Sequence, residues 1–185
     1  VQQYLVDSIQ DMRSKLFPAA EAKILSYMLV LYCVSKDLFP AAQETCLVDV
    51  TYEATEIGVV RDGTLQYSNH TPFGLLSLAR EISEVTKAPL VETFKYLHGD
   101  KPYAFIEGIS ETKKADIEKI FDSYIDALAQ VFKKTGDTLS IPKQLIVNTD
   151  ADSEVLLRNL IEKAVKRSVK TDPVIHMISR KLVIE

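Results

Sequence analysis

Cysteine and histidine are scarce in this sequence. Cys33 and Cys46 are the two cysteines, and His70, His98 and His176 the three histidines, among 185 residues. The cysteines lack the C-x-x-C spacing of a metal knuckle or redox pair, so neither a zinc site nor a disulfide framework follows. Cys33 lies in an apolar run and Cys46 just before a strand-like segment, which predicts two buried thiols in a reducing compartment. Long apolar stretches are also missing. The longest, Ile24 to Val34 with Ser26 interrupting it, is eleven residues, whereas a helix that spans a bilayer needs about 20. No basic n-region or small-residue cleavage site opens the chain, so no signal peptide is visible. The first residue is Val rather than Met, and a fragment of a longer protein is expected. The formal charge is −4 and the basic residues are scattered, which argues against a nucleic-acid groove with its basic stripe. The densest basic group, Lys163, Lys166, Arg167 and Lys170, reads as the solvated end of a helix, where cations suit the dipole.

What is present belongs to an ordinary globular chain, 46% apolar and 26% charged, long enough for one domain or one lobe with an insertion. Leu5, Ile9, Met12 and Leu16 recur at three- and four-residue steps, predicting a first helix closed by Pro18. Ala19 to Phe39 reads as a second helix, apolar nearly all round and therefore buried. The texture then turns β-rich. Thr45 to Val50, Ile57 to Arg61 and Thr64 to Ser68 form an antiparallel meander, with Asp62-Gly63 as the hairpin turn. Helices follow at Phe73 to Thr86, Pro89 to Leu97 (ended by Gly99) and Ser110 to Thr135 (ended by Gly136). Gln144 to Asn148 is a buried strand, Glu154 to Ser168 a last helix, and Val174 to Met177 and Leu182 to Ile184 short β pieces. Nothing after Arg180 is long or amphipathic enough for an interfacial helix.

Four segments carry chemistry. Asp49 ends an apolar strand and is followed by Thr51-Tyr52-Glu53-Ala54-Thr55. A strand-end carboxylate can hold Mg²⁺ through water, and a tight loop turns N–H and hydroxyl groups toward phosphate. Equally, Asp49 can be a turn former, and Thr51 and Thr55 can satisfy their own backbone. Thr71-Pro72-Phe73-Gly74 leads into a helix. Glu92 and Lys95, three residues apart, share a helix face, as a ligand pair or as an exposed ion pair worth little. Asn148-Thr149-Asp150-Ala151-Asp152-Ser153 joins a strand to a helix, with Asp150 and Asp152 as ligands or as helix caps.

In order and spacing these segments resemble the latter half of the actin-like ATPase fold, from about Asp7 to Ile184, and most closely its bacterial cell-division (FtsA) and type IV pilus (PilM) branches. The resemblance implies an α/β, ribonuclease H-like lobe: a mixed sheet with flanking helices over 1–88 and 136–185, and a helical insertion at 89–135. It implies ATP and Mg²⁺ as cofactors of the full-length protein, with Asp49 toward the metal. The nucleotide would meet Asp49, Thr51, Thr55, Gly74, Glu92, Lys95, Asp150 and Ala151. It also implies a cleft shared by the turns at Asp49–Thr55 and Thr149–Ser153.

The family pattern is incomplete. Thr51 stands where the second phosphate loop has glycine, Leu75 replaces the second glycine after Pro72, and Asp150-Ala151 replaces Gly-Gly in the adenosine loop. A side chain at position 51 obstructs close backbone approach to phosphate. Asp150, at about 5 Å from an α-phosphate, repels it by on the order of 3 kcal/mol at an effective dielectric near 20, about a hundredfold in affinity.

These departures predict a nucleotide-binding scaffold that is weak or inactive as an ATPase, with no catalytic residue assigned in this chain. By resemblance it is cytoplasmic and peripheral to the inner membrane. It would work through protein partners, or its own copies in a filament, in a pilus-type or division-type assembly, without nucleic acid or a transmembrane segment. The alternatives are a sugar or acetate kinase-like phosphotransferase of the same superfamily and a protein-interaction module unrelated to actin.

Overall fold

The computed structural model describes residues 3–21, 23, 25–138, 140–169 and 172–179. The expected strand at Leu182 to Ile184 lies outside them. Helix α1 (Gln3–Leu16) and helix α2 (Tyr27–Leu38) precede three strands, β1 (Thr45–Val50), β2 (Thr55–Arg61) and β3 (Thr64–Thr71). Then come α3 (Leu75–Thr86), α4 (Leu90–Leu97), a 3-10 turn at Ala104–Gly108 and the long α5 (Glu111–Thr138). Strand β4 (Gln144–Thr149), a 3-10 turn at Ala151–Ser153, α6 (Glu154–Val169) and β5 (Val174–Ser179) complete the described chain.

The strands form one mixed sheet in the order β3-β2-β1-β4-β5. β1, β2 and β3 pair antiparallel, while β1, β4 and β5 run parallel. The meander and its extension by Gln144 to Asn148 are thus as the sequence pattern predicts. Asp62 and Gly63 both take positive φ, 50° and 64°, the turn that matches the twist of a two-residue hairpin.

Strand alternation divides the core in two. Cys46, Val48, Val50, Leu145 and Val147 point to one face, where α3, α5 and α6 bury Leu78, Ile82, Leu128, Phe132, Leu157 and Ile161 in a single cluster. Leu47 and Ile146 point to the other, where Met28 and Leu31 of α2 cover them with Val60 and Ile178. α2 crosses close over β2 because residue 58 is Gly. A Cβ there would lie 2.8 Å from the Met28 sulfur and 2.9 Å from a Leu65 methyl.

Three local expectations fail. The second helix begins at Tyr27, not Ala19, because the Ser26 hydroxyl accepts the Leu29 N–H at 3.2 Å and caps it there. That helix is not buried all round: Met28, Leu31 and Ser35 face the sheet, whereas Cys33 is exposed and only Cys46 is a buried thiol. One layer of sheet on one side can cover only one stripe of a helix. Gly136 does not end α5, which continues to Thr138; a glycine inside a helix costs about 1 kcal/mol relative to alanine and is outweighed by packing elsewhere along it.

Candidate functional site

β1 and β4 are parallel neighbours in the middle of the sheet, in register from Cys46 opposite Leu145 to Asp49 opposite Asn148. Their carboxyl ends therefore release the 51–54 turn and the 150–153 turn side by side at one end of the molecule. From there the chain passes to β2 on one side, and from β4 through α6 to β5 on the other. In α/β sheets, ligands bind at the carboxyl ends of strands where the chain diverges in this way.

Asp49 is buried, 5% exposed. Asp49 follows Leu47 by two, and Asn148 follows Ile146 by two, so both side chains lie on the α2 face. There the Asn148 amide Nδ2 donates to Asp49 Oδ1 at 2.6 Å. The Asn148 amide oxygen is buried and has no hydrogen-bond partner among the described residues, and the buried Ser153 hydroxyl has none among them either. Neither is among the site residues that the resemblance implies. A lone amide closing the Leu145-Ile146-Val147 run was the available signal, since a polar group at the end of a buried strand needs a partner.

The 51–54 turn is closed on itself. Thr51 Oγ1 donates to the Ala54 carbonyl at 2.9 Å and accepts N–H groups from Ala54 at 3.0 Å and Glu53 at 3.3 Å. These two N–H groups are the donors a loop of this kind would turn toward a phosphate, and the Thr51 hydroxyl takes them. The turn also caps α3. Leu75 N–H donates to the Thr51 carbonyl at 3.1 Å and Leu76 N–H to the Tyr52 carbonyl at 2.7 Å, so the first donors of the helix meet protein oxygens.

Gly74 allows that seating. A Cβ at this position would stand 2.5 Å from both the Thr51 and Tyr52 carbonyl oxygens and 2.6 Å from the Ala54 nitrogen, all rigid backbone. Thr55 is fully buried and its hydroxyl donates to the Phe73 carbonyl at 2.8 Å. Beside it, burial pushes the Tyr124 phenol up to about 12, with the Thr55 hydroxyl pulling weakly the other way. Thr51, Thr55 and Gly74 are thus one structural knot, and both hydroxyl protons are committed to backbone carbonyls.

α4 bridges the two turns. The Tyr52 ring meets Phe94 edge-on at 5.6 Å, Phe94 lies 5.9 Å from His98, and Gly99 N–H donates to the Asp152 carbonyl at 2.7 Å. Gly99 adopts φ 83°, which only glycine takes without strain. Glu92 and Lys95 project from this helix and bond to each other at 2.8 Å, with side chains 46% and 65% exposed. Asp150 precedes the short 3-10 turn and its side chain makes no cap bond; its carbonyl instead accepts the Ser153 N–H at 3.0 Å. Ala151 and Asp152 are exposed.

Magnesium and a nucleotide fit this arrangement unequally. The Asp49 carboxylate is of the right chemistry and sits at a strand end. The phosphate cradle beside it does not fit, because a threonine hydroxyl already occupies its donors.

The sequence matches no protein-family model and no curated protein. Solved structures do match. The ethanolamine utilization protein EutJ from Carboxydothermus hydrogenoformans aligns over 79% of this chain and 48% of its own, with a TM-score of 0.53 and 14% identity. The PilM–PilN type IV pilus biogenesis complex aligns over 80% of this chain and 40% of that one, at a TM-score of 0.56 and 8% identity. A ROK family protein from Streptococcus pneumoniae TIGR4, in complex with sucrose, aligns over 82% and 60%, at 0.51 and 12%. The chain spans about half the length of these solved proteins. Identities this low speak for fold alone. With its mixed five-stranded sheet flanked by helices, the chain has the actin-like fold.

Proposed function

We propose that this chain is the latter part of an actin-like scaffold protein whose nucleotide site has been closed by its own side chains. The observation that carries this reading is Thr51, whose hydroxyl accepts the Glu53 and Ala54 N–H groups. A phosphate would have to displace that hydroxyl and leave the Ala54 carbonyl without its side-chain donor. The Asp49–Asn148 pair supports the same reading, since the carboxylate assigned to Mg²⁺ shares one oxygen with a buried amide. Asp49, Thr51, Thr55, Gly74, Glu92, Lys95, Asp150 and Ala151 are then the remnant of a site for ATP and Mg²⁺, weak or inactive as an ATPase.

The setting we favour is a membrane-associated assembly such as type IV pilus biogenesis or cell division, on the FtsA/PilM branch. The likeness to the pilus biogenesis complex PilM–PilN supports it. The protein would be cytoplasmic, peripheral to the inner membrane, and would act through protein partners or its own copies. Among the described residues no helix is long and apolar enough to cross a membrane. Residues 89–135 form the inserted segment, carried on the lobe's own core through α5.

Titration of the protein from its complete reading frame with ADP and ATP, with and without Mg²⁺, tests the reading. Affinity no better than about millimolar is expected, and Thr51→Gly should tighten it. Tight binding with steady ATP turnover by the unaltered protein would overturn it.

A second reading, a sugar or acetate kinase-like phosphotransferase, is favoured by the likeness to the sucrose-bound ROK family protein. Transfer of labelled phosphate from ATP to a small hydroxyl or carboxylate acceptor would select it.

A further inference from the structure

Strand β3 closes one side of the sheet: β2 lies along one of its edges, and among the described residues no strand lies along the other. An open edge carries a row of N–H and C=O groups that can template a further strand. In an antiparallel pair every second residue turns these groups outward. His70 is one of them, because its N–H donates to the side-chain oxygen of its own neighbour Asn69 at 2.9 Å. Ser68, two residues earlier on the same strand, is then the other. Both side chains are exposed. Val59 pairs with Tyr67 and Val60 with Leu65, which leaves Gln66 as a bulge in β3. Beyond the strand, Pro72 has no N–H to give. The flat run is therefore residues 67–71. Natural edges are blunted by charged side chains, Lys above all, or by Pro. β3 (Thr64–Thr71) contains no Asp, Glu, Lys, Arg or Pro.

We propose that this edge pairs with the same edge of a second copy of the chain, antiparallel about a two-fold axis at Asn69. In that register Ser68 stands opposite His70 of the second copy, and His70 opposite its Ser68. Every N–H and C=O group that these residues turn outward is then used, in reciprocal hydrogen bonds. Asn69 has only to release the His70 N–H. Charge does not oppose the pairing: β3 carries no Asp, Glu, Lys or Arg, so no such like charges meet across the axis. A strand of another protein could use the same backbone groups. Only an identical strand repeats the match on both sides of one centre, as closed two-fold interfaces do. A run this short buries far less than the about 1,600 Å² of a standard interface, so the dimer is weak. The proposal rests on the reading of a scaffold that acts through its own copies, and not on the nucleotide site.

The test uses the protein from its complete reading frame, without nucleotide. Light scattering should show the mass rising from monomer toward dimer as concentration climbs to about 300 μM, as a weak interface requires. Ser68→Pro removes an outward N–H and none from the ladder with β2, so it should fold and stay monomeric. If it fails to fold, Ser68→Lys should give the same monomer by setting a charge on the edge. Cross-linking reads the register, in a Cys33→Ser background because Cys33 is exposed. Across the axis the two Asn69 Cα atoms would lie about 4.5 Å apart, within reach of a disulfide. Under mild oxidation Asn69→Cys should form a covalent dimer at least about tenfold faster than Thr64→Cys, which this register sets far from its own copy. A monomer at every concentration overturns the proposal and leaves the scaffold to act through other proteins. So does a dimer or filament that neither Ser68 variant disrupts, or cross-linking at residue 69 no faster than at 64. ADP titration of the monomeric variant keeps the nucleotide reading separate, because β3 and the 51–54 turn share no residue.

Discussion

Asn148 donates its side-chain amide to the Asp49 carboxylate at 2.6 Å across the boundary where β1 and β4 run parallel. The two residues are 99 apart in sequence. They meet because the strands pair in a register that puts Asp49 opposite Asn148, each two residues beyond an apolar residue of the α2 face.

Asn148→Ala removes the amide and leaves a buried carboxylate short of a donor. A loss of about 1–3 kcal/mol in unfolding free energy is expected, read from urea denaturation. The double-mutant cycle with Asp49→Ala should show coupling above about 0.5 kcal/mol; strict additivity would mean that the bond contributes nothing.

Gly74→Ala forces a methyl into backbone oxygens 2.5 Å away. Neither carbonyl can rotate aside without releasing the Leu75 or Leu76 N–H group. Destabilisation of about 1–3 kcal/mol is expected, with faster amide exchange at the start of α3 than at its end. A neutral substitution would show that the 51–54 turn is not seated as described.

Alkaline pH should weaken the fold. Burial raises the Cys46 thiol from 9.0 to about 12 and the Tyr124 phenol from 10.0 to about 12. Each group keeps its proton in the folded chain and loses it in the unfolded one. Their contribution is therefore complete below pH 9 and declines from pH 9 to 12, by up to about 1.4 kcal/mol per pH unit for each group. Tyr124→Phe should flatten the decline above pH 10 in denaturation measured against pH. The same burial predicts that at pH 8 a disulfide reagent titrates one thiol in the native protein, Cys33, and both only after unfolding.

Much of the fold was legible because it is written in local periodicity. The alternation through Cys46-Leu47-Val48 and Leu145-Ile146-Val147 announces strands buried on both faces, and Asp62-Gly63 announces its hairpin. The start of α2 at Tyr27 and the exposure of Cys33 are not legible in an apolar run alone. Composition says that a segment is apolar, but not how much of its circumference a neighbouring layer will cover.

By itself the sequence determined the element order, the place of each turn and the residue types at both strand ends. Periodicity and backbone preference act over a few residues, and those can be read in line. Only the tertiary structure decided what these residues do there. It brought Asp49 to Asn148 and set Gly74 beneath the 51–54 turn. It also turned the Thr51 hydroxyl toward two N–H groups of its own turn. Each of these is a contact between atoms within about 3 Å of one another, and distances of that order are set by how whole strands and helices pack.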